Sequence, residues 1–102
     1  MPAQSLKAVR NRIARRLEQM EREMPGLKPE EICAAMEAIR QSAAQHGLMA
    51  MEGLADWAAH HAMMPGYRGA VSESMTHWHE ALEAEDANSR ESILASLALR
   101  FR

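Results

Sequence analysis

Apolar and polar positions follow a helical period along almost the whole chain. From Ser5 to Met24, Leu6, Val9, Ile13, Leu17, Met20 and Met24 recur at steps of 3, 4, 4, 3 and 4. That is the narrow stripe of a helix with one face against a core. Pro25-Gly26-Leu27-Lys28-Pro29 ends it. A second helix begins with Pro29 near its first turn, where a missing N–H leaves no bond unmade, and with Glu30 and Glu31 at the positive end of the dipole. Its stripe is Ile32, Ala35, Met36, Ile39 and Ala43, and Gly47 fits a left-handed C-cap with Leu48 folding back on the last turn.

The stretch Leu48 to Met64 departs from the one-sided pattern. Wound at about 100° per residue, its polar side is confined to Glu52, Asp56 and His60. A helix apolar over more than half its girth must be covered from several directions. Its small residues (Ala50, Gly53, Ala55, Ala58, Ala59, Ala62) allow neighbouring backbones to come close. This is the expected central helix. Pro65-Gly66 stops it, and a fourth helix is predicted from about Tyr67 to Ala84 with Val71, Met75, Trp78 and Leu82 on its stripe. After Glu85-Asp86-Ala87, Asn88 with Glu91 three residues on resembles a capping box. The last short helix would bury Ile93, Leu94, Leu97 and Phe101.

Alternation of period two is missing, so no strand is predicted. The expected fold is all-α: one domain over residues 1–102, a bundle of four to five mostly antiparallel helices around 48–64, with Trp57 and Trp78 in or beside the core. Composition agrees, because aromatic residues are only 4% and Ala and Met, both good helix formers, supply much of the 47% apolar content. No apolar run reaches the roughly 20 residues needed to span a bilayer. Residues 1–17 resemble a transit peptide in being Arg-rich and acid-free, but the apolar seam continues past them into the fold. One cysteine, Cys33, permits no internal disulfide and fits a reducing compartment. The expectation is a cytoplasmic protein.

Net charge is −2, but its distribution is uneven. Lys7, Arg10, Arg12, Arg15 and Arg16 crowd the first 17 residues without an acid, and Glu18, Glu21 and Glu23 follow. This order opposes the helix macrodipole at both ends. A solvated charged face explains it most simply. Self-association explains it too: two antiparallel copies would set basic half against acidic half, with the apolar seam supplying most of the affinity. Nucleic acid or an anionic membrane is a third partner, weakened by the lack of aromatic residues there and the acidity of the remaining chain. A helix-turn-helix around Gly47 is rejected, since its reading helix would carry Glu52 and Asp56 and no base.

The five histidines fall between positions 46 and 79. His60, His77 and His79 with Glu73 and Glu80 suggest a metal or small-ligand site assembled from facing helices, although no recognised ligand spacing occurs. His61 projects onto the apolar side of the central helix, as a core histidine held by one hydrogen bond or, alternatively, as a ligand contact or protonation switch. Cys33 and the serines lie in no nucleophile setting, no glycine-rich phosphate loop occurs, and nothing calls for a cofactor. Met49, Met63 and Met64 mark an adaptable surface beside His60. The expected function is a small non-enzymatic interaction protein (regulator, adaptor or inhibitor) acting as a homodimer through helical surfaces, with another protein as a secondary option for the partner. The alternative is a metal- or ligand-binding bundle.

Overall fold

The stripe from Leu6 to Met24 becomes α1, Leu6–Glu23, followed by a 3₁₀ turn over Met24–Gly26. The structure is a computed structural model that describes residues 6–83 and 87–100, with side chains for 6–83 and 91–99. The later elements are α2 (Pro29–Gln45), α3 (Met49–Ala62), α4 (Tyr67–Met75), α5 (Trp78–Glu83) and α6 (Ala87–Arg100). The protein is all-α, with six α-helices and no strand among the described residues, rather than four to five helices. The proposed Asn88 cap and the burial of Phe101 fall outside the described side chains.

Each boundary has a local cause. Glu31 accepts the Lys28 backbone N–H at 2.9 Å, satisfying a donor that the start of α2 would leave unmade. At the far end Gly47 sits at φ 71°, and Leu48 N–H donates to Ala43 O at 2.9 Å while Gly47 N–H donates to Ala44 O at 3.3 Å. These are the paired bonds of a Schellman turn, as the sequence predicts. A Cβ on Gly47 would meet nothing within 4 Å, so only the left-handed backbone resists substitution. Gly47→Ala should therefore cost about 1–2 kcal/mol, read as a lower urea midpoint with an unchanged slope.

The predicted helix over 67–84 is broken. Ser74 Oγ donates to Val71 O at 2.6 Å and Thr76 Oγ1 to Glu73 O at 2.7 Å. The backbone bonds of Thr76 and His77 meanwhile shorten to carbonyls three residues back. Hydroxyls that draw on helix carbonyls loosen and bend the ladder. The chain turns at 76–77 and α5 starts afresh at Trp78.

α3 is the element most of the fold is packed on: α2, α4, α5 and α6 all contact it. Eight of its 14 residues are buried, five of them alanine. The core adds Val9, Ile13, Leu17 and Met20 from α1, Ile32, Met36 and Ile39 from α2, Val71 and Met75 from α4, Trp78 and Leu82 from α5, and Ile93 and Leu97 from α6. Trp57 packs beside it, half-buried. The polar edge of α3 lies by α2, where Arg40 hydrogen-bonds Glu37 at 3.1 Å. That bond and the Glu37 charge, helped by Asp56 and Glu52, hold the Arg40 guanidinium above its ordinary pKa. No helix among the described residues is long and apolar enough to cross a membrane.

Candidate functional site

α1 divides into four strips, with Glu18 at the border of two of them. Its apolar stripe is buried within its own chain, with Val9, Ile13, Leu17, Met20 and Met24 all inside the core. The outermost strip carries Asn11, Arg15, Glu18 and Arg22, all exposed. One flank holds Arg12, Arg16, Gln19 and Glu23 along the α2 side, and the other holds Lys7, Arg10, Ala14, Glu18 and Glu21 along α4–α5. The basic and acidic groups thus do not form two blocks on one face. Apart from exposed Leu6, the Leu6–Met24 seam packs against the core of its own chain.

The α4–α5 flank is a trough. A cleft of about 760 Å³ lies between Glu18, Glu21, Met24 and Pro25 on one side and Arg68, Ser72, Met75, Thr76, Trp78 and His79 on the other. A second cleft of about 530 Å³ extends it past Lys7, Arg10, Asn11 and Ala14, opposite Leu82 and Glu83. The two share Glu18, Trp78 and His79, so they adjoin at the stack of Trp78 on His79, whose ring centres are 3.5 Å apart.

Three contacts fix its walls. Trp78 Nε1–H donates to Glu21 Oε1 at 2.7 Å, Arg68 Nη1 donates to Met24 O at 3.1 Å, and Ser72 Oγ lies 3.8 Å from Met24 Sδ. The turn at 76–77 is what aims Trp78 at α1. Arg10 lines the second cleft, and its buried Nε meets no acceptor among the described residues. Sequence reasoning placed Lys7, Arg10, Glu18 and Glu21 on an interaction surface but missed Arg68, Ser72, Thr76 and Trp78, because nothing local links positions 57 residues apart.

The histidine constellation does not assemble. Among the described residues no three of His, Cys, Asp and Glu stand together as a metal site. Glu73 lies on α4 and His77 in the turn before α5. His77 Nδ1 is 3.6 Å from Glu80 Oε1, His79 is exposed against Trp78, and His60 is exposed at the end of α3. His61 is half-buried rather than a core residue. Its Nδ1 bonds Trp57 O at 2.9 Å and its ring stacks on the Trp57 ring at 3.7 Å. Met49, Met63 and Met64 are exposed as expected, but Met49 opens α3 and the other two follow its end, about 20 Å away along the axis. They are not one patch.

No known protein family, curated protein or solved structure matches this chain.

Proposed function

We propose that this chain is a non-enzymatic protein-interaction module, built on a bundle of antiparallel neighbours, whose recognition surface is the trough along α1. Its occupant is an amphipathic helical segment of a partner protein. The observation that carries this reading is that the two clefts adjoin along one flank of α1. They follow α1 from Lys7 to Pro25, about 27 Å at the helical rise, or five turns of a docked helix. Half-buried Ala14 and the edges of the otherwise buried Met24, Met75, Trp78 and Leu82 form an apolar floor, and rims of both charge signs set orientation, the arrangement of helix-in-groove recognition. An enclosed pocket of similar volume would suit a small molecule, but this cleft is more open than enclosed.

A second copy of the chain is one candidate occupant. Its affinity would come from the trough, because exposed Arg–Glu pairs on α1 contribute only about 0–1 kcal/mol each, against about 8 kcal/mol for a micromolar complex. A photo-crosslinking amino acid at Thr76, expressed in the native cells, tests the proposal, with the same group at Gln41 on α2 as control. One recurrent crosslinked protein from Thr76 and none from Gln41 is expected. A crosslink between copies would make the partner the chain itself, and no specific product from Thr76 would overturn the reading.

A further inference from the structure

The end of α3 collects soft donors that the trough does not use. The exposed large apolar side chains include Met63 and Met64, at 56% and 49%, directly after the last turn of α3. His60 lies three and four residues before them, and its side chain is 67% exposed. Residues at these spacings are neighbours on a helix surface. Met63 is the C-cap of α3, leaving the helical region at φ −95° and ψ 3°, and a tight turn follows in which Met64 N–H donates to His61 O at 3.1 Å, keeping both methionines close in the chain to His60.

The imidazole is set up as a ligand. His60 Nδ1–H donates to Asp56 O at 2.9 Å, with the Asp56 carboxylate 3.6 Å away. That bond places the proton on Nδ1 and leaves the Nε2 lone pair facing outward, the outer-shell arrangement that fixes metal-binding histidines. His46 makes the same backward bond to Ser42 O at 2.8 Å, so the bond alone selects nothing. The distinguishing feature at His60 is the pair of exposed thioethers within one turn. Thioether and imidazole donors together select a soft monovalent ion over zinc or magnesium. The carbonyls at the end of α3 add partial negative charge that favours any cation.

We propose that His60 Nε2 and the sulfurs of Met63 and Met64 form a three-coordinate site for Cu(I), with Ag(I) as its spectroscopic surrogate. The site is separate from the trough and independent of its occupant. Cys33 on α2, half-buried, would compete as a stronger thiolate ligand, so the test uses a Cys33→Ser background. Under anaerobic conditions this protein should withdraw one equivalent of Cu(I) from a chromophoric Cu(I) chelator. Replacing Met63 and Met64 with leucine, or His60 with glutamine, should weaken that withdrawal at least tenfold with helicity unchanged. Met49→Leu should leave it unchanged. With Ag(I), the ε-methyl NMR signals of Met63 and Met64 should shift while that of Met49 stays. No withdrawal, equal withdrawal by the double-leucine variant, or a loss on Met49→Leu as large as theirs would overturn the site.

Discussion

Leu17→Ala should lower the stability of this domain by about 3–5 kcal/mol, the cost of a lost buried leucine plus the cavity it leaves. Leu17 is fully buried at 0% exposure, among the seam residues that seat α1 on the core. A domain of this size has about 5–15 kcal/mol in total, so the variant would approach its folding limit. Thermal unfolding followed by circular dichroism should show the midpoint falling by more than about 10 °C. Leu6 belongs to the same stripe in the sequence yet is 42% exposed. Leu6→Ala should therefore stay within about 0.5 kcal/mol of the wild type. Equal losses at the two positions would mean that α1 is not seated as described.

The second large effect lies at the junction of α1 and α5. Trp78 is buried, and Trp78→Ala should cost about 3–5 kcal/mol. Trp78→Phe keeps much of the ring but removes the N–H that Glu21 accepts at 2.7 Å. A hydrogen bond to a carboxylate contributes more than a neutral one, and partial exposure of Glu21 reduces it here, leaving about 1–2 kcal/mol. The cycle of Trp78→Phe, Glu21→Ala and the double variant should give a coupling of that size in urea unfolding. Additive single effects would show that the bond does not form in solution. The same cycle reads the trough, since the bond fixes its wall.

What could be read from sequence divides by range. The α1 stripe, the proline start of α2, the Gly47 turn and the encircled α3 were legible because each depends on residues within a few positions. The break at Thr76–His77 was not. Ser74 and Thr76 suit a helix surface well enough, and only their hydroxyl bonds to Val71 and Glu73 carbonyls reveal the bend. The trough was illegible for a different reason: Glu21 meets Trp78, and Met24 meets Arg68, across long separations with no local signature. The charge order along α1 is plain in the sequence, but its distribution around the axis depends on how the helix is seated against α2 and α4–α5. The distance from Met49 to Met63 was available from the helical rise alone.

The Gly47 turn also has a consequence in time. α2 and α3 are joined by only three residues, and they share the most extensive packing of any two elements in the structure. Contacts so close in sequence need little loop closure before they are made, and such units form early. α1, by contrast, is held by more distant partners, including the bond from Glu21 to a residue 57 positions away. The order that follows is α2–turn–α3 first and α1 docking after the main barrier. Stopped-flow kinetics of Leu17→Ala should accordingly show its cost mostly as faster unfolding, with the refolding rate little changed. A folding nucleus that included α1 would instead slow the refolding arm.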